Sequence, residues 1–220
     1  MSLQLDLTKY KTIVFDADGV ILDSNITNID TYFRTAKKFG ASAVESQTLV
    51  DYHLTMSGIG SYPKFKWFIE TVLEQEATPD RIDEFQDAFW LAVKRGLLSC
   101  RLADGLNELR QKTSHANWVV VTETDENQIQ TLFKEREIAQ LFDGGIFGSP
   151  YNKDEILSRE KQNGQIKMPA LFIGDCQYDY EAATRAGLDF VFVTDWTDVS
   201  NWEAFCEQNQ IHVCRNIKSL

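Results

Sequence analysis

The sequence has few basic residues for its size, and it has no long apolar run. Its 22 lysines and arginines stand against 33 aspartates and glutamates, which gives a formal net charge of −11. A surface of this sign repels the phosphate backbone of DNA and RNA, so we expect no nucleic acid partner. No apolar stretch approaches the roughly 20 residues that cross a bilayer, and the start MSLQLDLTKY lacks the pattern of a secretory signal. We therefore expect no membrane partner and a cytoplasmic location.

Clustered cysteines are also lacking. The four cysteines, Cys100, Cys176, Cys206 and Cys214, lie far apart and form no CxxC pair. Such pairs are typical of zinc and redox sites, so we expect free thiols rather than disulfide bonds or a zinc site. The hydrophobic fraction of 43% and the charged fraction of 25% are ordinary for a globular protein. At 220 residues the chain can form one domain with an insertion.

Short apolar runs predict the strands of a sheet. They are continuous rather than alternating in polarity, as in parallel strands that are buried on both faces. The runs are 12–15 (TIVF), 118–121 (WVVV), 145–147 (GIF), 170–173 (ALFI) and 190–193 (FVFV). Helical patterns lie between the later runs, at 105–111, 126–137, 153–161 and 178–186. This alternation predicts an α/β fold with a Rossmann-like, doubly wound parallel sheet.

The first strand is followed by a helical segment instead of a second strand. Apolar residues recur at three- and four-residue spacing in 64–74, and again at Phe85, Phe89 and Val93. We expect these stripes to pack the segment's own core. The sequence thus predicts a core domain of residues 1–24 and 100–220, with a small α-helical cap domain of residues 25–99 inserted after the first strand.

Two aspartates, Asp16 and Asp18, follow the first strand in FDADG. An aspartate at this place often caps a helix, and Asp before Gly is common in turns. A calcium-binding loop is excluded, because its fifth, sixth and twelfth positions need an oxygen donor, Gly and Glu, and here they hold Val20, Ile21 and Thr27. The pair alone leaves a turn and a functional site as alternatives.

Further polar residues follow the other predicted strands. Thr122 follows WVVV, Lys153 follows the GIF strand in GSPYNK, and Asp175 and Asp179 follow ALFIG in GDCQYD. Each of them alone could cap a helix or lie at the surface. Because ligands bind at the carboxyl ends of the strands in open α/β sheets, the whole series predicts one shared site. Carboxylates crowded there would repel one another, and a divalent cation relieves that repulsion.

These segments resemble the four motifs of the haloacid dehalogenase superfamily of phosphatases and phosphotransferases. The motifs stand here as FDADGVILDS, VVVTE, GSPYNK and IGDCQYDYEAATRAG, and the resemblance covers nearly the whole chain. The helical insertion is similar to the small cap domain of the branch that includes β-phosphoglucomutase and phosphoglycolate phosphatase.

The resemblance implies a role for each aspartate. Asp16 would attack a phosphoryl group and form an aspartyl-phosphate, and Asp18 would protonate the leaving oxygen and then activate water. Mg²⁺ would be held by Asp16, the backbone carbonyl of Asp18 and Asp175. Asp179 would not bind the ion directly but would orient one of its ligands or a water molecule.

The resemblance also implies the groups that bind substrate. The Thr122 hydroxyl and the Lys153 ammonium would bind the phosphoryl oxygens. The cap would close over the site, with the segment 52–66 (YHLTMSGIGSYPKFK) facing the rest of the substrate. The candidate contacts are His53, Lys64 and Lys66 in this segment, and Glu123, which stands where many relatives carry Asn or Gly.

The leading interpretation is a Mg²⁺-dependent phosphatase of a small phosphorylated metabolite, either a sugar phosphate or a phosphorylated acid. A phosphosugar mutase of the β-phosphoglucomutase type would share every catalytic residue, so the sequence leaves both open. A non-enzymatic phospho-receiver module is a remote alternative, because its phosphorylated aspartate comes later than its acidic pair and it has no such helical insertion. Asp18 disfavours cleavage of carbon–halogen or carbon–phosphorus bonds, since the resembling enzymes with those activities lack this aspartate.

Overall fold

The computed structural model describes residues 5–56 and 58–220. The first four residues of MSLQLDLTKY, and Ser57 within the segment 52–66, therefore lie outside the described residues.

The described residues form a sheet of six parallel strands at the centre of the fold. The strands are β1 (Thr12–Phe15), β2 (Asn117–Asp125), β3 (Gly145–Ser149), β4 (Ala170–Gly174), β5 (Asp189–Val193) and β6 (His212–Cys214). Their order across the sheet is β3-β2-β1-β4-β5-β6, so β1 pairs with both β2 and β4. The chain reverses its direction of winding at β1, which is where doubly wound sheets hold their ligands.

Helices cover both faces of the sheet. They are α5 (Leu106–Lys112), α6 (Glu126–Glu135), α7 (Lys153–Gln162), α8 (Gln177–Ala186) and α9 (Trp202–Gln208). Successive side chains of β1 point to opposite faces, so Ile13 and Phe15 pack with Trp118 in one hydrophobic cluster while Val14 packs with Phe172 in another. Both faces of the strands are buried, which explains their continuous apolar runs and confirms the predicted α/β fold class.

The segment between β1 and α5 is helical. Its elements are α1 (Asn25–Lys38), α2 (Ala43–Thr55), α3 (Ser61–Trp67), a π-helical turn (Phe68–Val72) and α4 (Pro79–Ser99). Tyr32, Phe65 and Phe85 belong to a third hydrophobic cluster, which is built by this segment alone. The predicted aromatic stripe is therefore packed inside the segment. The division into a core domain and a cap domain stays a prediction.

The structure differs from the sequence-based prediction at several elements. Val93 packs against the cluster beside the sheet instead of inside the helical segment, because the end of α4 returns to the sheet. No apolar run predicted β6 or α9, which have three and seven residues. β2 continues past Val121 to Asp125, with a shift of register against β3.

The four cysteines are free thiols, and none of the described helices is both long and apolar enough to cross a membrane.

Candidate active site

The carboxyl ends of β1, β2 and β4 meet the helical segment at one cavity of about 910 Å³. This volume suits a small molecule, since pockets for such ligands measure about 300–1,000 Å³. The predicted site residues that line it are Asp16, Asp18, His53, Lys64, Thr122, Glu123, Lys153 and Asp175. Asp179 is fully buried behind Asp175, whereas Lys66 is exposed and does not line the cavity.

Asp16 lies at the end of the central strand and is 5% exposed. Its Oδ1 accepts a hydrogen bond from the backbone N–H of Ala17 at 2.7 Å, and its Oδ2 lies 2.9 Å from Lys153 Nζ. Burial raises the pKa of Asp16 to about 7, while the charge of Lys153 opposes this shift. The side chain is thus a buried carboxyl group whose ionised form depends on neighbouring positive charge.

Lys153 is the first residue of α7, and a capping box between Asn152 and Glu155 fixes the start of that helix. The Lys153 side chain is 1% exposed, and its Nζ lies between Asp16 Oδ2 and Asp179 Oδ1, at 2.9 and 2.5 Å. Burial disfavours the charge on Lys153, but the two carboxylates outweigh burial and raise the pKa of Lys153 well above its ordinary value. Lys153 therefore stays an ammonium ion.

Both carboxylate oxygens of Asp179 accept hydrogen bonds from groups of the protein. Its Oδ2 accepts from the backbone N–H of Asp175 at 3.1 Å and from the Cys176 thiol at 3.2 Å, and its Oδ1 accepts from Lys153. The neighbouring Asp175 accepts from Asn25 Nδ2 at 3.0 Å. Burial, followed by the charges of Asp179 and Asp16, raises the pKa of Asp175 well above its ordinary value. Asp179 thus supports the loop that carries Asp175.

The charges at this edge of the sheet fit a divalent cation. Asp16, Asp175 and Asp179 are buried carboxylates, and the Lys153 ammonium pairs with Asp16 and Asp179, so these four groups carry a net charge of −2 when fully ionised. Among the described residues, the possible ligand atoms that all lie within 4.8 Å of one another belong to Asp175, Cys176 and Asp179. Burial raises the pKa of Cys176, so its sulfur is a protonated thiol. The carboxylate oxygens are then the available ligand atoms, and Mg²⁺ prefers oxygen ligands.

Asp18 has a different set of partners. Its Oδ1 accepts from Ser24 Oγ and from Asn28 Nδ2, the latter at 3.2 Å, and its Oδ2 accepts from Thr124 Oγ1 at 3.2 Å. Sequence reasoning did not identify these three residues, or Asn25 beside Asp175. The signal that was available is a set of polar residues at this point of the chain: Ser24 ends the first motif, and Asn25 and Asn28 follow it in the first turn of α1.

The extension of β2 carries Thr122 and Glu123 into the cavity wall. Thr122 is buried, and its hydroxyl accepts from the backbone N–H of Thr124 at 3.3 Å. Glu123 Oε1 accepts from the backbone N–H of Lys153 at 3.2 Å, and a Cβ atom at Gly60 would lie 3.3 Å from Glu123 Oε2. Glu123 therefore lies between the start of α7 and the loop that precedes α3.

His53 and Lys64 form a buried pair in the helical segment, 8% and 2% exposed. Lys64 Nζ lies 2.9 Å from His53 Nδ1, and the His53 ring packs on Tyr32 with 4.4 Å between ring centroids. Burial and the charge of Lys64 lower the pKa of His53 to about 3. Burial lowers the pKa of Lys64 to about 8, while the surrounding acidic groups, Asp198 most strongly, oppose this shift. At neutral pH the pair is a neutral imidazole beside an ammonium group.

We expect His53 to weaken folding at acidic pH. Its folded pKa of about 3 lies below its ordinary value of 6.5, so between these values the unfolded chain binds a proton that the folded chain does not. The His53 contribution to the free energy of unfolding is complete above about pH 6.5 and falls by about 1.4 kcal/mol for each pH unit below it. The free energy of unfolding, measured with urea at neutral pH and at one pH unit below 6.5, should fall more for the wild type than for His53→Phe. Equal falls would contradict the prediction.

The comparisons with known proteins agree with the motifs. A family model described as haloacid dehalogenase-like hydrolase matches residues 13–193, which contain all the predicted catalytic and metal-binding residues. No curated protein matches the chain significantly.

Solved structures share the fold. A haloacid dehalogenase-like family hydrolase from Streptococcus pneumoniae has a TM-score of 0.68 and 22% identity, over 94% of this chain and 95% of that one. A protein described as a predicted phosphoglycolate phosphatase from Haemophilus somnus has a TM-score of 0.66 and 23% identity, over 86% and 87%. A β-phosphoglucomutase from Clostridium difficile has a TM-score of 0.71 and 16% identity, over 96% and 93%. At these identities the likeness establishes the fold.

Proposed function

Because this chain belongs to the haloacid dehalogenase-like hydrolases, we propose that it is a Mg²⁺-dependent phosphatase of a small phosphorylated metabolite, a sugar phosphate or a phosphorylated acid. The observation that carries the proposal is the unequal environment of the two neighbouring carboxylates. Asp16 is buried against an ammonium group, whereas Asp18 is held by hydroxyl and amide donors. Two carboxylates in such different surroundings suit two different chemical roles.

Asp16 acts as the nucleophile. An oxygen of Asp16 attacks phosphorus while the bond to the leaving oxygen breaks, and protonated Asp18 gives its proton to that oxygen. Asp18, now a carboxylate, takes a proton from water, and this water attacks the aspartyl-phosphate. Inorganic phosphate leaves and Asp16 is restored. The Lys153 ammonium and the Thr122 hydroxyl stabilise the negative charge of the phosphoryl oxygens.

Asp16, the backbone carbonyl of Asp18 and Asp175 would hold Mg²⁺. When bound, the ion offsets the repulsion between the carboxylate nucleophile and the phosphate. Asp179 orients Asp175 through the backbone N–H bond described above.

The helical segment, residues 25–99, acts as a cap domain that excludes water and contacts the organic part of the substrate. His53 and Lys64 supply polar contacts because both line the cavity, and Glu123 is a further polar group that lines it. Lys66 is exposed, and no contact of it supports a role in binding.

Phosphate release tests the proposal. We expect release from a panel of sugar phosphates, phosphorylated acids, nucleotides and an aryl phosphate when Mg²⁺ is present, and loss of release when a chelator is added. Asp18→Asn should lower kcat by about 10²- to 10⁴-fold, the usual effect of removing a general acid and base. Asp30→Asn is the matched control, because Asp30 is an exposed carboxylate paired with Arg34 on α1.

Two results would contradict the proposal. Full turnover in the presence of the chelator would exclude the metal-dependent mechanism. Transfer of phosphate to a second sugar hydroxyl, without net release, would identify a mutase instead.

A further inference from the structure

Two buried side chains that line the cavity, His53 and Lys64, carry hydrogen-bond donors for which the described residues provide no acceptor. An ammonium group has three N–H donors and no acceptor, so the contact between Lys64 Nζ and His53 Nδ1 uses one donor of Lys64. The same contact makes Nδ1 the acceptor, which places the imidazole proton on Nε2. His53 Nε2 is buried and has no hydrogen-bond partner among the described residues. The pair thus leaves one imidazole N–H and two ammonium N–H groups without a described acceptor.

The charge of Lys64 is also uncompensated at short range. Lys64 and Lys153 are the lysines among the described residues that line the cavity, and Lys153 is bound by Asp16 and Asp179. Lys64 makes no ion pair within 4 Å in the described part of the chain. Its close contacts are His53 Nδ1 and the ring of Tyr32, whose centroid lies 5.7 Å from Nζ, and the carboxylates of Asp198, Glu123 and Asp18 act on it from farther away. A buried charge without a close partner is destabilising, and an anionic ligand in the cavity would supply the counter-charge.

The pair and Lys153 come from different elements of the fold. Lys153 comes from the core helix α7 and contacts the proposed nucleophile, whereas Lys64 comes from α3 and contacts His53 on α2. The cavity is also lined by Asp83, Asp87 and Asp198. Because carboxylates repel anions, the ammonium of Lys64 is the group that the described part of the helical segment offers to an anionic ligand in this cavity.

We propose that Lys64 and His53 form a subsite for an anionic group on the organic part of the substrate. The substrate then carries a carboxylate or a second phosphate besides the phosphoryl group that is removed, and neutral sugar monophosphates are disfavoured. This inference rests on the proposed phosphatase function. Lys64 supplies the charge, and the N–H at Nε2 of His53 supplies a directed hydrogen bond.

Matched pairs of phosphate monoesters test the subsite. Phosphoglycolate against hydroxyethyl phosphate probes a carboxylate, and propanediol bisphosphate against hydroxypropyl phosphate probes a second phosphate. Binding is measured by calorimetry with Mg²⁺ in an Asp16→Asn background, so that no turnover interferes. We expect at least one anionic member to bind about 10- to 100-fold more tightly than its neutral partner, as for a charge-assisted hydrogen bond.

Substitutions then show which residues cause the tighter binding of the anionic member. Lys64→Met and Lys64→Gln should abolish it, Lys64→Arg should keep part of it, and His53→Phe should reduce it. Lys38→Met is the matched control, because Lys38 is an exposed lysine of the same helical segment, and it should keep the full preference. Lys64→Gln provides the answer if Lys64→Met does not fold.

The outcomes separate this inference from the proposed function. Equal binding of anionic and neutral members, or a preference that survives the loss of the Lys64 charge, would overturn the subsite. Hydrolysis by the wild type without an anionic preference overturns only the subsite. An anionic preference without hydrolysis of any monoester overturns only the phosphatase.

Discussion

Replacement of Asp16 by asparagine should reduce kcat for phosphate release by about 10⁴-fold or more, the scale of losing a nucleophile. The amide has nearly the same shape and keeps an oxygen for the N–H of Ala17, but it cannot form the aspartyl-phosphate. Lys153 keeps its contact with Asp179, so the site remains partly paired. The loss should therefore be one of chemistry and not of folding.

Stability provides an independent check on Asp16→Asn. Burial raises the pKa of Asp16 to about 7, which means that above that pH the folded protein holds an ionised group in an unfavourable place. The neutral amide avoids this cost, so without Mg²⁺ the variant should be at least as stable as the wild type. Thermal unfolding in chelator, beside the activity assay, measures both properties. A variant that is inactive and strongly destabilised would not support a purely chemical role, and near wild-type turnover would exclude Asp16 as the nucleophile.

Lys153→Met should behave in the opposite way and lose stability together with activity. The substitution leaves Asp16 and Asp179 buried without their common cation, and removing one partner of a buried ion pair costs about 3–5 kcal/mol. In the proposed mechanism it also removes the charge that balances the phosphoryl oxygens, so we expect kcat to fall by about 10²- to 10³-fold, as for other groups that stabilise charge in the transition state. Urea unfolding and phosphate release measure the two effects.

A double variant separates these two effects. Adding Asp179→Asn to Lys153→Met removes one of the unpaired charges, so it should recover part of the lost stability without recovering activity. Lys134→Met, an exposed lysine on α6, is the control and should change neither property. Full activity of Lys153→Met would show that the ammonium group only serves folding.

The central strands could be predicted because burial on both faces leaves a direct trace in the sequence. β1 and β4 appear as TIVF and ALFI, close to their observed limits. β6 could not be predicted, because an edge strand of three residues with a histidine has no such trace. The proposed nucleophile and its lysine could be placed together for a topological reason, since parallel strands present their carboxyl ends at one edge.

The partners of individual side chains could not be predicted. Lys64 and Lys66 stand two residues apart in α3, and the sequence made them equal candidates. Residues two apart on a helix face different directions, and only packing shows that Lys64 turns inward with Phe65 while Lys66 faces solvent. The bonds from α1 to Asp18 and Asp175 join distant elements and leave no periodic signal.

Those bonds from the first turn of α1 determine where this protein could be recombined with a relative. Asn25 and Asn28 lie in the helical segment by sequence, yet they donate hydrogen bonds to Asp175 and Asp18, which belong to the proposed active site. At the other end, Arg136, which directly follows α6, donates to the backbone oxygens of Leu97 and Cys100. A chimera that exchanges the proposed cap domain should therefore be joined after Asn28 and before Leu97. Junctions at the helix ends themselves would also exchange residues that hold the side chains of the proposed active site.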